Sequence, residues 1–255
     1  LGTPNGNPHF ERGNNRYLAF VFACPGWFEQ FHERPAAGDT GQNLHRLLQI
    51  LRDWRVPGIP TREHLTITNA YAGVMYSEQD GDTQPSKRQI EQTENLARLN
   101  EELAHITGWV VFCGEKAHLA ASLLEREPQA TSGYNTAKIR HLSMKSLNQV
   151  DEDLFGLPIN EYIIENSWHR SRARLDVVVK TLLDQMNLSH HVPTAQSLGQ
   201  DITLIRRAWG EVVLVGPATP SQEQINHLEQ TAEAMALTPL RWVYLSDRTL
   251  WIFGT

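Results

Sequence analysis

The chain has 255 residues, enough to bury one large core or a core with an appendage, and its 40% hydrophobic and 20% charged content is globular rather than disordered. No apolar run approaches the ~18–20 residues of a membrane span, and a formal net charge of −6 argues against non-specific coating of nucleic acid while leaving room for a local basic groove. Two cysteines exclude a disulfide framework, an all-cysteine zinc site and a cysteine-ligated iron–sulfur cluster. The opening LGTPNGNPHFERGNN has no apolar signal core. The expectation is a soluble, cytoplasmic monomer that carries no metal or other cofactor.

Residues 1–16 are rich in Gly, Asn and Pro and read as a flexible or loosely docked arm. Leu18 to Ala23 (LAFVFA) is short, continuously apolar and cut off by Pro25 and Gly26, the pattern of a fully buried strand. A polar loop reaches Gly41, after which Leu44, Leu47, Leu48 and Leu51 recur at helical spacing. Leu65 to Ala70 predicts a second strand, and a long helix is expected from about Ser86 to His105. Trp109 to Cys113 (WVVFC) is a third strand, Ala117 to Leu124 a helix, and Ala137 to Leu142 a short fourth strand. Asp151 to Asn187 reads mostly helical. The tail then offers Val212 to Gly216 as a strand, Gln222 to Leu237 as a helix, and Arg241 to Leu245 and Leu250 to Phe253 as strands.

Strands apolar on both sides and alternating with helices indicate a parallel sheet covered on both faces. The predicted fold is therefore a three-layer α/β/α domain over residues 17–188 with a central, mostly parallel four-stranded sheet. A C-terminal βαββ extension follows over 189–255, with His190 to Pro193 as the junction. In such sheets ligands bind in the loops at the carboxyl ends of the strands. The loops after Ala23, Thr68 and Arg140 meet there.

The segment from Ala23 to Leu48, ACPGWFEQFHERPAAGDTGQNLHRLL, carries the most information. Its Pro25, Gly26, Glu29, Arg34, Pro35, Gly38, Gly41, Gln42, Leu44, Arg46, Leu47 and Leu48 fall in register with the first active-site motif of the uracil-DNA glycosylase superfamily, which the chain resembles most in its bacterial and thermophilic branches. Thr68-Asn69 is similar to the Thr-Asn that ends the second strand in that superfamily. His141 to Asn148 (HLSMKSLN) is similar to its last motif, with Leu142 where Pro is usual. The resemblance spans about Tyr17 to Asn148 and does not extend to the tail.

It implies an enzyme that flips a base out of DNA and hydrolyses its N-glycosidic bond. Asn69 would read the base edge, and His141 would donate to a base oxygen as charge develops there. Cys24, Pro25, Gly26 and Ala36 would form the pocket. The residue before the Pro is often Asp or Asn in the resembling branches, but here it is Cys24, core filler rather than a nucleophile. One thermophile-type branch uses an Asp directly after the loop glycine, which Gly38-Asp39 matches. Asp39 is therefore the expected catalytic carboxylate, with Glu29 second and an N-cap role competing for Asp39. The branch with the closest loop spacing carries a four-cysteine cluster, for which Cys24 and Cys113 are too few.

Glycines 38 and 41 suit close approach of backbone to a nucleotide, and the helix start at Thr40 and Gly41 offers N–H groups to a phosphate. Lys138, Arg140 and Lys145 flank His141, with Ser143 and Asn148 in the same loop. WHRSRAR, Trp168 to Arg174, places Arg170 and Arg172 beside a Trp, a combination that grips phosphates and stacks on bases. DNA is thus the expected partner, with no membrane. Ala36 stands where the resembling families have a Phe that stacks on the base. The wall is set back, which implies a base larger than uracil, such as a bulky modified cytosine of phage DNA, and a setting in antiviral defence. The alternatives are a uracil-DNA glycosylase of base excision repair, a non-catalytic nucleic-acid-binding module on the same fold, and a small-molecule nucleotide hydrolase.

Overall fold

The computed structural model describes residues 7–126, 133–163 and 166–254. The chain divides into two compact units, Leu1–Ile159 with Arg170–Val192, and Asn160–His169 with Pro193–Thr255. In chain order the elements are β1 (Leu18–Phe22), α1 (Trp27–His32), α2 (Gly38–Asp53), β2 (Thr66–Asn69), α3 (Ser77–Asp80), α4 (Lys87–Ile90) and α5 (Thr93–Leu103). There follow β3 (Trp109–Cys113), α6 (Glu115–Leu124), β4 (Asn135–Ile139), α7 (Met144–Leu147), α8 (Ile159–Tyr162) and α9 (Ser167–Gln185). The tail contributes β5 (Gln196–Gly199), β6 (Ile202–Arg206), β7 (Glu211–Pro217), α10 (Gln222–Ala234), β8 (Thr238–Tyr244) and β9 (Arg248–Gly254).

The first unit is built on a four-stranded sheet in the order β2-β1-β3-β4, with every pair parallel. Side chains alternate across β1, and each face meets its own helices. Leu18, Phe20 and Phe22 join Leu44, Leu47, Leu48 and Leu51 of α2 and Leu175, Val178, Val179 and Leu182 of α9 in one core. Ala19 and Val21 join Leu96, Leu99 and Leu103 of α5 and Ala117, Ala120 and Ala121 of α6 in the other. This is the α/β/α arrangement. Because β1 runs to β2 on one side and pairs with β3 on the other, the order reverses at β1. A crevice opens there at the carboxyl ends of the strands.

Two local readings of the sequence are corrected, and the docked reading of the arm is the one observed. The long helix expected over 86–105 is broken in two: Ser86 caps α4 in a reciprocal pair with Gln89, and the chain turns extended at Gln92 before α5 starts. The loop before Gly41 contains α1, which buries none of its residues. The arm is docked from residue 7 onward, for Glu11 and Ile67 exchange both backbone hydrogen bonds at 2.9 Å and Glu11 receives Arg62 Nη1 at 2.9 Å. Residues 1–6 of that arm lie outside the described residues.

The second unit is an antiparallel sheet in the order β5-β6-β7-β9-β8. Leu228 and Ala232 of α10 pack on Leu204, Leu214, Trp251 and Phe253. Gly216 is dictated by that core, since a Cβ there would lie 2.6 Å from the Trp251 ring. The expected βαββ pattern lacks β5 and β6. They are joined by Gln200 and Asp201, both with positive φ, a hairpin turn made without the Asn-Gly pair that signals one in sequence. Among the described residues no helix is long and apolar enough to cross a membrane.

Candidate active site

At the carboxyl ends of the strands the first unit holds a cavity of about 250 Å³ whose lining includes Ala23, Cys24, Gly26, Glu29, Ala36, Thr40, Asn69 and His141. Three stretches far apart in sequence meet there: the loop after β1 with the start of α2, the end of β2 and the loop after β4. The same cavity is lined by Phe22, Met75, Tyr76, Thr83 and Gln84, none of which the sequence singles out. Their segment joins the site through backbone, because Met75 N–H donates to Pro25 O at 2.9 Å and Tyr71 N–H to Ala23 O at 3.0 Å. Pro25 is thus a support of the loop and does not line the cavity.

His141 is held in one tautomer. The Ser143 backbone N–H donates to its Nδ1 at 3.0 Å, so a neutral ring carries its proton on Nε2. Burial keeps the imidazole below its ordinary pKa, favouring that neutral form. Phe22 packs edge-on against the ring, with centroids 5.8 Å apart. Gly114 leaves it room: its φ is +89°, and a Cβ would lie 3.0 Å from His141 Cβ. Leu142, in place of the usual Pro, is fully buried in the core, and its carbonyl accepts Asn43 Nδ2 at 2.8 Å. An apolar anchor and a backbone hydrogen bond therefore fix the loop that a Pro would have stiffened.

The two candidate carboxylates differ in what they hold. Glu29 is occupied at both oxygens, accepting Gly26 N–H at 3.0 Å and Ala37 N–H at 3.1 Å. It staples the loop across eight positions. Asp39 lies exposed in the first turn of α2, outside the cavity lining but next to Thr40, which is part of it. Ala37 is the N-cap of α2, so Asp39 does not cap the helix. Gly38 has φ +62°, and Gly41 approaches backbone of its own loop, where a Cβ would meet Ala36 O at 1.9 Å. Both glycines shape the loop; neither lines the cavity. Ala36 itself has φ +48°, a conformation that L-residues seldom hold.

Asn69 is buried, and its Nδ2 donates to the His9 carbonyl at 3.2 Å. The His9 ring meets Glu102 Oε1 at 3.1 Å, and Glu102 Oε2 accepts Arg98 Nη1 at 2.6 Å and the Thr68 hydroxyl. Burial pushes the Glu102 carboxyl up, yet hydrogen bonds from His9 and Thr68 and the charge of Arg98 outweigh it and hold the group below its ordinary range. Arg98 Nη2 also donates to Asn69 O at 2.9 Å. The arm, β2 and α5 are thereby tied together under Asn69.

A wider trough of about 800 Å³ adjoins the cavity, sharing His141, Ala23, Thr83 and Gln84 and adding Gly114, Lys116, Lys138, Arg140, Ser143 and Lys145. Ser143 also caps α7, accepting Ser146 N–H at 3.4 Å. Lys138 is turned to Ser122 at 3.0 Å and Arg140 to Ser146 O at 2.7 Å. Asn148 is exposed and follows α7 as its C-cap, outside the trough.

Two arginines of WHRSRAR are engaged inside the fold. Arg172 is buried, donating from Nη1 to Asp53 at 3.0 Å and from Nε to Asp176 at 2.9 Å. Arg174 donates to Val150 O at 3.2 Å, and Arg170 lines neither cavity. The aromatic half of the motif belongs to the second unit, where His169 stacks on Trp209 at 4.8 Å. Lys116, which the sequence does not mark, is the cation gained. No protein-family model matches the chain, and no curated protein matches it significantly.

Proposed function

We propose that this protein is a monofunctional DNA glycosylase that turns a nucleotide into the cavity and hydrolyses its N-glycosidic bond, leaving an abasic site. The carrying observation is His141, neutral, tautomerically fixed by Ser143 and set in the same cavity wall as Asn69. As the glycosidic bond breaks, its electron pair passes to the base nitrogen and negative charge gathers on the carbonyl oxygen attached to the base ring. A positioned Nε2–H stabilises that charge more than it stabilises the bound substrate, which lowers the barrier. Asp39, whose carboxylate is not tied into the loop as Glu29 is, orients the water that attacks the sugar carbon. Lys116 and Lys145 in the trough attract the phosphates of the strand.

The substrate class follows from Ala36 and Asn69. No aromatic side chain of α1 lines the cavity; the aromatic residues that do, Phe22 and Tyr76, come from β1 and from the segment after β2, so the place of the ring missing at Ala36 is not filled from its own loop. With one Nδ2 hydrogen engaged by His9, Asn69 keeps its second N–H and its amide oxygen for a base, and the oxygen is an acceptor suited to the amino donor of cytosine. A bulky modified cytosine, of the kind found in phage DNA, is the substrate these features favour, with antiviral defence as the setting. Oligonucleotides carrying uracil or bulky modified cytosines, incubated with the protein and then cleaved with alkali, test this. Scission is expected at the modified cytosines and only weakly at uracil; efficient uracil release with the cytosines untouched would return the protein to uracil repair.

A further inference from the structure

Helix α1 sets three large aromatic side chains in water beside the cavity. Trp27, Phe28 and Phe31 are 50%, 54% and 67% exposed. Trp27 and Phe31 lie nearly parallel, with centroids 5.4 Å apart, and Phe28 meets Trp27 edge-on at 5.1 Å. Water disfavours such exposed rings, so a cluster of three left in solvent is a contact surface rather than an accident of folding. We propose that this face is a stacking platform for unpaired nucleobases next to the excised nucleotide, and that the substrate strand is therefore taken single-stranded. The proposal rests on the glycosylase reading and extends it to the form of DNA.

Position and charge name the occupant. Gly26 lines the cavity, and the Trp27 Cα is one trans peptide away, about 3.8 Å. A nucleotide adjoining a flipped one is tied to it by a single phosphodiester, so on this side it must cross the rim that α1 forms. The single carboxylate within α1, Glu29, is turned inward onto Gly26 and Ala37, so it does not face a phosphate chain. The platform is also held firmly. Arg34 N–H donates to Glu29 O at 3.2 Å, and Phe28 sits against Gly38, where a Cβ would come within 3.4 Å of its ring. Aromatic faces capture bases whose own faces are free, and in a duplex those faces are already stacked.

Binding is measured on the full chain with unmodified oligothymidine, single-stranded and annealed to oligoadenosine, by anisotropy of a labelled strand and by tryptophan emission. Oligothymidine is expected to quench the emission, and Trp27→Phe to remove part of that quench while keeping affinity. Trp27→Ala and Phe31→Ala should each weaken single-strand binding about tenfold and leave duplex binding within about twofold, with unchanged thermal unfolding. Single-strand affinity indifferent to both alanine variants would overturn the platform. So would a wild-type self-association, seen by sedimentation, that these variants abolish, because the patch would then be a contact between copies. None of these readouts needs base release. Trp27-dependent binding without release from any modified DNA removes the enzyme reading alone; release with Trp27-independent binding removes the platform alone.

Discussion

The Ser143 N–H and His141 Nδ1 are 3.0 Å apart, and this one hydrogen bond decides which imidazole nitrogen carries the proton of the neutral ring. A donor that acts on the departing base contributes to the chemical step rather than to affinity. His141→Ala is therefore expected to lower kcat about 100-fold or more, the scale of losing one positioned donor, with KM nearly unchanged. Single-turnover base release measures it. A change confined to KM would assign His141 to binding.

The same burial makes stability depend on pH. Held below its ordinary value near 6.5, His141 binds fewer protons folded than unfolded. Its contribution is complete above about pH 6.5 and is lost as pH falls through the folded value. Thermal unfolding followed from pH 8 to pH 5 should show wild type losing more stability on acidification than His141→Ala. Equal slopes would place the titration elsewhere, for instance at His105, which burial also lowers.

Asp39 and Glu29 separate by readout. Asp39→Asn is expected to leave unfolding and DNA affinity unchanged while reducing base release by orders of magnitude. Glu29→Ala removes the acceptor of two backbone N–H groups and should cost about 1–3 kcal/mol of stability, seen in urea unfolding. Equal turnover in Asp39→Asn would end its role in orienting water.

Arg172 and Lys145 make the matching contrast among the cations. Arg172→Ala removes the buried guanidinium that bridges Asp53 and Asp176 and is expected to destabilise by about 3–5 kcal/mol, with no specific effect on DNA binding by the protein that remains folded. Lys145→Ala should leave unfolding unchanged and reduce the salt dependence of DNA binding by about one unit in log–log slope. Titrations over a range of salt concentrations check both.

Ala36→Phe restores the ring that the resembling families carry. Release of bulky modified cytosines is expected to fall at least tenfold relative to uracil, because the side chain fills the space behind the base. The φ of +48° adds a steric cost for a bulky residue there, so unfolding is measured in parallel. An unchanged preference would place the substituent elsewhere.

Much of the fold is readable from local pattern. LAFVFA and WVVFC are apolar on both faces because both faces of the sheet are covered, and the leucines of α2 keep the helical period because one side of it is buried. Where a local signal is weak or misleading the reading fails. Helical periodicity runs on through Gln92, where the backbone turns extended, and the β5–β6 hairpin turns on Gln200 and Asp201.

The site divides along the same line. In the sequence the loop from Ala23 to Leu48, Asn69 and His141 are marked by their resemblance to motifs of a known superfamily, in agreement with their places after strands; taken alone, Asn69 reads as a turn former. Which side chains remain available was decided only by tertiary structure. Arg172 meets Asp53 across 119 positions, Asn69 meets the His9 carbonyl across 60, and Tyr76 reaches the cavity through the backbone of its neighbour Met75. Periodicity and turn chemistry act between residues a few positions apart and are therefore written along the chain. The partner of a charge or an amide is set by which elements cover the two faces of the sheet, and no local pattern records that.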